Sequence, residues 1–299
     1  MRILLTGTSG QVGGALRPLL QERGDLLTPQ RAEFDLAKPE TLAEGLDGLK
    51  PDLIVNPAAY TAVDRAEDES ELAFRVNAEA PSAVARWAAI RHVPLIHFST
   101  DYVFDGPGDQ PWREDSVTRP LSVYGASKLA GENAIRAANG PHLIVRTSWV
   151  YAAKGRNFLR TITRLAQERK ELRIVADQIG APTSARLIAD AVAQILRTRP
   201  ADAAALFCEH GVIANVAAAG ETSWHGFATA IVDGLKSRGV KLEVETIVPI
   251  ATQEFPTKAK RPGNSRFDLT RLRDAFGIVP PSWSEALEVE LDELARELA

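Results

Sequence analysis

Arg2-Ile-Leu-Leu-Thr-Gly7-Thr-Ser-Gly10-Gln-Val-Gly13 lies at the start of the chain, and its reading decides the fold. A short apolar run stops at glycines, and an amphipathic stretch from Val12 to Arg23 follows, ending at Gly24. That order is strand, tight turn, helix. In the G-x-x-G-x-x-G turn, Gly7 lets the chain reverse, Gly10 lets backbone approach a pyrophosphate, and Gly13 lets helix pack on strand. The helix N-terminus then offers free N–H groups and a positive dipole end to phosphate. The motif sits on the first strand, as that mechanism requires, so it predicts dinucleotide binding rather than a plain βα connection.

The alternation continues downstream. Residues 26–28, 53–56, 94–98 and 143–146 read as strands, and 62–90 and 127–138 as helices. Strands alternating with helices predict an α/β fold, a Rossmann-type doubly wound parallel sheet. Continuously apolar strands predict cover on both faces. This dinucleotide-binding domain is expected over 1-150. Beyond it the pattern loosens. Residues 157–168, 187–196 and 283–299 read as helices, and 172–175 and 240–250 as strands, while the alanine-rich 201–220 has no clear period. Residues 151-299 are expected to form mainly a smaller α/β substrate domain, partly interleaved with the first, which parts of 171-240 join.

Composition bounds the function. The 299 residues are 45% apolar and 25% charged with a net charge of -4, which argues against nucleic acid as the main partner. The single cysteine, Cys208, makes no internal disulfide and has no His/Asp company in sequence. His92, His97, His142, His210 and His225 lack metal-ligand spacing. No apolar run approaches the roughly 18 residues that span a bilayer, and no secretion signal is evident. A cytoplasmic location without membrane attachment is the expectation.

An acidic residue about 20 positions after the glycines would bind the ribose 2′-OH of NAD. Gln30-Arg31 follow the second strand instead, and Arg31 can receive a 2′-phosphate. NADPH is therefore expected, with NADH left open; Asp35 is expected near the adenine.

Ser99-Thr100-Asp101 follow the strand at 94–98, and ligands bind outside the carboxyl ends of parallel strands. Downstream lies Tyr124-Gly-Ala-Ser-Lys128, whose ends share one helix face. A free tyrosine has a pKa of about 10 and is a poor proton carrier near neutrality. A neighbouring ammonium is expected to lower that value and make a general acid/base.

These residues resemble the extended short-chain dehydrogenase/reductase family, and more closely its reductases of dTDP-linked 4-ketosugars. The likeness covers almost the whole chain. It rests on Ser99-Thr-Asp-Tyr-Val-Phe-Asp-Gly106, Tyr124-Gly-Ala-Ser-Lys-Leu-Ala-Gly-Glu132 and Arg146-Thr-Ser-Trp-Val-Tyr151. Asp177-Gln178, Pro182-Thr183 and Arg261-Pro-Gly-Asn-Ser265 add to it. The resemblance implies NAD(P)H-dependent reduction of dTDP-4-dehydro-6-deoxy-L-mannose at C4, giving dTDP-L-rhamnose. It implies that Tyr124 donates the proton, that Lys128 tunes it and holds ribose, and that Thr100 bonds the same oxygen. Asp101, Trp149 and Arg261 would contact the sugar nucleotide. Gly7, Gly10, Gln11, Val12 and Gly13 would lie on the pyrophosphate, with Asp35, Leu36, Ala58, Ala59 and Tyr60 on the adenine and ribose side and Ser99 against the cofactor. Lys258, Lys260, Arg261 and Arg266 crowd one loop that suits a pyrophosphate. Members that dimerise through magnesium carry glutamate where Ala15 stands, and a second carboxylate where Arg186 stands, so no metal is expected; a homodimer stays open. An epimerase or dehydratase of the same fold, which recycles its nicotinamide, and a non-catalytic NADP-binding subunit stay open too.

Overall fold

The computed structural model describes residues 1–198, 207 and 213–298. Cys208, His210 and most of the unreadable segment 201–220 lie outside the described residues.

Six parallel strands make the central sheet: β1 (Arg2–Leu5), β2 (Asp25–Leu27), β3 (Leu53–Asn56), β4 (Leu95–Thr100), β5 (His142–Thr147) and β10 (Ile213–Asn215). Their spatial order is β10-β5-β4-β3-β1-β2. Every strand is registered parallel to its neighbour. The chain runs outward from β1 to β2, then crosses back to β3 on the other side. The carboxyl ends of β1 and β3 therefore flank a crevice, the place where such sheets take ligands.

The strands are apolar on both faces because both are covered. On one face Leu16 and Leu20 of α1 (Gln11–Gln21) and Ile188, Val192 and Ile195 of α8 (Ala185–Thr198) pack on Ile3, Val55 and Ile96. On the other, Leu42 and Leu46 of α2 (Leu42–Leu49), Val84 and Trp87 of α5 (Ala80–Ile90) and Ile135 of α6 (Val123–Ala137) pack on Leu4, Ile54 and Ile144.

Residues 62–90 are not one helix. They break into α3 (Val63–Ala66), α4 (Ser70–Phe74), a π turn over 75–79 and then α5. Asn77, in the π turn, is buried and bonds Tyr60 and the Ser127 hydroxyl, so the irregular turn serves as a polar bracket. The helix expected from Ser127 begins earlier, at Val123. The Ser122 hydroxyl caps it by accepting from Gly125 N at 3.2 Å.

A second layer rests on the carboxyl side. α7 (Phe158–Glu168) and the helices Trp224–Ser237 and Trp283–Leu298 share a core of Leu159, Ile162, Phe227, Ile231, Leu287 and Leu291. Its described strands form two short pairs and one short triplet. β6 (Val150–Tyr151) lies on β9 (Thr183–Ser184), β7 (Glu171–Val175) on β12 (Thr246–Ile250), and β8 (Ile179–Gly180) between β11 (Thr222–Ser223) and β13 (Asn264–Ser265). The strand expected over 240–250 is thus only its last five residues. Among the described residues, no helix is long and apolar enough to cross a membrane.

Candidate active site

One cleft of about 1570 Å³ opens at the carboxyl ends of β1, β3, β4 and β5. The glycine turn forms its floor. Gly7 has φ +59°, a conformation that favours glycine, and a Cβ on Gly13 would sit 2.2 Å from the Gly7 carbonyl oxygen. No side chain caps α1 and no acid stands in its first turn, so its N–H groups are left for a ligand. Gly10, Gln11 and Val12 line the cleft beside them.

Arg31 and Asp35 stand together at the far corner, 3.6 Å apart, with Arg31 largely exposed. Leu36 and the run Ala58, Ala59, Tyr60 line the same end. This corner offers a guanidinium for a 2′-phosphate and a carboxylate for a ribose hydroxyl. Among the described residues, the buried Gln11 Oε1, Ser99 Oγ, Thr147 Oγ1 and Ser148 Oγ have no hydrogen-bond partner, and all four residues line the cleft. Unpaired buried polar atoms are costly unless a ligand meets them. The residues present fit a dinucleotide. Thr147 and Ser148 were missed by sequence reading, although the strand-end rule that singled out Thr100 applies equally to them.

Ser99 and Thr100 close β4, and the backbone then turns through Asp101 to Val103. Thr100, Tyr124 and Lys128 meet at one wall of the cleft. The Tyr102 ring meets the Tyr124 ring edge-on at 5.4 Å between centroids. The expected pKa relation does not hold. Burial raises the Tyr124 pKa, a hydrogen bond with the Thr100 hydroxyl works against that, and the Asp101 and Tyr102 charges add to the rise. Lys128 does not lower it, because its ammonium is committed elsewhere. Nζ donates to the Phe98 carbonyl at 2.6 Å and lies 3.2 Å from His97 Nε2. Burial lowers the Lys128 pKa to about 8, and the Glu132 charge opposes this. At neutral pH Tyr124 therefore keeps its proton, the state a proton donor needs.

Asp101 lines the cleft but is only 1% exposed. It accepts from the Ser265 hydroxyl at 2.5 Å and from Thr100 at 3.1 Å, so it fastens the second layer to the sheet. Burial raises its pKa to about 6, against those hydrogen bonds.

Trp149 also lines the cleft, with a left-handed φ of +49°. Its ring stacks on Trp224 at 3.7 Å between centroids, and Phe158 lies against Trp224 at 4.6 Å. Gly180 makes room for it, since a Cβ there would come 2.8 Å from Trp149 Cε2. Nothing in the sequence pairs Trp224 with Trp149, which are far apart along the chain.

Arg261 does not line the cleft. It bonds the Tyr102 hydroxyl at 2.9 Å and Asp64 at 2.6 Å, and so stands behind the tyrosine. The basic loop is largely neutralised: Lys258 pairs with Asp68 and Arg266 with Glu221. The cations that do line the cleft include Lys154 and Arg156, in the loop before α7. Ala15 and Arg186 also line it, and Arg186 pairs with Glu290 at 3.1 Å and Glu293 at 2.7 Å.

Comparison with known proteins gives consistent matches. The model of the RmlD substrate binding domain matches residues 1–296. A dTDP-4-dehydrorhamnose reductase of Burkholderia thailandensis is 48% identical over 291 residues, covering 96% of this chain and 97% of its own. The crystal structure of a dTDP-4-dehydrorhamnose reductase from Clostridium acetobutylicum superposes with a TM-score of 0.89 at 32% identity, covering 98% of this chain and 99% of its own. The dTDP-4-dehydrorhamnose reductase of Bacillus anthracis, solved in complex with NADP, has a TM-score of 0.88 at 33% identity, with the same coverage.

Proposed function

The chain belongs to the RmlD substrate binding domain family, and from that membership we propose that it reduces the C4 ketone of dTDP-4-dehydro-6-deoxy-L-mannose to give dTDP-L-rhamnose, using NADPH. The observation that carries the proposal is a single cleft that joins the glycine turn to Tyr124, Lys128 and Thr100 and is also lined by Trp149.

Gly10, Gln11 and Val12 and the open end of α1 would hold the pyrophosphate. Arg31, with Asp35, would hold the adenosine ribose and its 2′-phosphate. The nicotinamide, when bound, supplies the hydride. The remaining work falls to this chain's own groups. Tyr124, protonated because burial raises its pKa, gives its proton to the oxygen forming at C4. The Thr100 hydroxyl stands beside the phenol and orients the same oxygen. Lys128 holds the nicotinamide ribose with the N–H that Phe98 and His97 leave unspent. Trp149, braced by Trp224, offers a flat apolar face to the sugar and helps exclude water.

The test is product identification. With NADPH and dTDP-4-dehydro-6-deoxy-L-mannose, the protein should consume NADPH in equal amount to the ketosugar and yield dTDP-L-rhamnose. A cofactor that is recycled rather than consumed would favour an epimerase or dehydratase. No turnover with any dTDP-ketosugar would leave only a binding module.

A further inference from the structure

Lys128 is a buried ammonium with three N–H bonds to place. Phe98 O and His97 Nε2 fix two directions, so tetrahedral geometry fixes the third. His97 is 1% exposed and lies in register between Asn56 on β3 and Ile144 on β5. Its other nitrogen, Nδ1, is 3.2 Å from Asn56 Nδ2. Asn56 Oδ1 accepts from Thr6 Oγ1 at 2.6 Å, and Thr6 Oγ1 accepts from Ala58 N at 3.3 Å. A single file of hydrogen bonds thus runs beneath the cleft from the end of β1, through β3 and β4, to Lys128.

Such a file has two self-consistent directions. With Asn56 Nδ2 donating to His97 Nδ1, the imidazole carries its proton on Nε2, and Nε2–H needs a lone pair on Lys128: the lysine is then a neutral amine. With the amide turned by half a rotation, its oxygen accepts from His97 Nδ1–H, Nε2 becomes an acceptor, and Lys128 donates as an ammonium. The same heavy-atom positions serve both charge states.

We propose that His97, which lies beneath the cleft rather than in it, is a positioning residue for the reaction: with Asn56 it aims the free Lys128 N–H into the cleft and reverses its tautomer when Lys128 changes charge, so that Lys128, His97 and Asn56 keep partners in both states while the Thr6 hydroxyl proton, released from Asn56 Oδ1, turns to the cleft that Thr6 lines. Net, one proton leaves the pair, while the imidazole exchanges Nδ1–H for Nε2–H and stays neutral. Burial holds the His97 pKa far below its ordinary value, with Lys128 adding to the effect, so the imidazolium does not compete. The titratable and charged groups around the pair are Glu132 on α6, already committed to Arg146, Tyr124 one turn before Lys128, and Asp101 beyond Tyr124. From β3 and β5 it is faced by the uncharged Asn56 and Ile144.

The proposal rests on the reductase reading only for its kinetic arm. The first arm needs no cofactor. In ¹⁵N-histidine spectra of the free protein, His97 should pass from the Nδ1–H to the Nε2–H tautomer as pH rises through about 8, where Lys128 titrates. In Lys128→Met one tautomer should persist throughout. A single tautomer in the unaltered protein from about pH 6 to about pH 10 would overturn the proposal.

The second arm is the pH profile of kcat with the ketosugar and NADPH. His97→Leu should move the basic limb down by about one pH unit, because the ammonium loses an acceptor. His97→Gln, which restores an acceptor, should recover much of that shift. Asn56→Asp, which can only accept, should move the limb up. KM for the ketosugar should hold nearly constant. Identical limbs in all of these proteins, with only a uniform loss of rate, would make His97 a packing residue. Should His97→Leu fail to fold, His97→Gln, Asn56→Asp and the tautomer still decide. If the unaltered protein does not oxidise NADPH at all, the reductase reading fails and the tautomer experiment alone judges His97.

Discussion

Lys128 and Glu132 stand one turn apart on α6, both are buried, and they have opposite fates. Glu132 is closed. Arg146 gives it two hydrogen bonds, at 2.9 and 2.6 Å, and spends another guanidinium donor on the Glu114 carbonyl. Lys128 is open: two donors are held by the strand end and His97, and one is left at the cleft. Burial of a charge is therefore no sign of function. The unspent hydrogen-bonding capacity at a concave surface is.

The closed end should show the largest effect. Arg146→Met would leave the Glu132 carboxylate buried and alone, and should cost about 3–5 kcal/mol in denaturant unfolding. Adding Glu132→Gln should recover much of that loss. A single substitution that costs nothing would mean the pair is not what holds this side of α6 to β5.

Changes around Trp149 should have a smaller effect, felt at the substrate. Gly180→Ala pushes a methyl into Trp149 and should cost about 1–3 kcal/mol of stability while raising KM for the ketosugar. Trp224→Ala keeps Trp149 but removes its stacking partner. KM should rise roughly two- to tenfold with kcat little changed, the range that about 0.5–1.5 kcal/mol of ring contact gives. An unchanged KM in both variants would take Trp149 out of the substrate site.

Charge at the periphery should matter least. Arg31→Ser should lower the preference for NADPH over NADH by up to about fivefold, the size expected of an exposed charge pair. Asp101, buried at the cleft rather than peripheral, gives a pH signature instead. Its folded pKa, about 6, lies above the ordinary 3.8, so its contribution to stability is present below about pH 4 and lost as pH rises through 6. Asp101→Asn should flatten that decline in thermal melts.

How far these features were legible follows from their range along the chain. The glycine turn, the five apolar strands and the Tyr124–Lys128 spacing are local patterns, and each falls where its residues predict. β10 was not read, because three residues, Ile213–Asn215, carry too little period to stand out beside an alanine-rich stretch. The long helix expected over 62–90 breaks for a tertiary reason: Asn77 must turn inward to bracket Tyr60 and Ser127. Trp224 behind Trp149, Ser265 on Asp101 and His97 on Lys128 are contacts between distant segments, invisible to spacing. Arg261 shows the converse. Its loop looks like an anion site in sequence, yet acids from 64–68 and Glu221 answer most of its charge. The direction of the Tyr124 shift was misread because spacing puts an ammonium within reach but does not say where the ammonium points.

The open end of α6 is tested most directly by kcat for NADPH oxidation in Tyr124→Phe at saturating ketosugar, measured beside the Kd of that variant for NADPH. Loss of the phenol should lower kcat by about a hundredfold to ten-thousandfold with Kd essentially unchanged, since only the proton donor has gone. A kcat that stays at the level of the unaltered protein would contradict it.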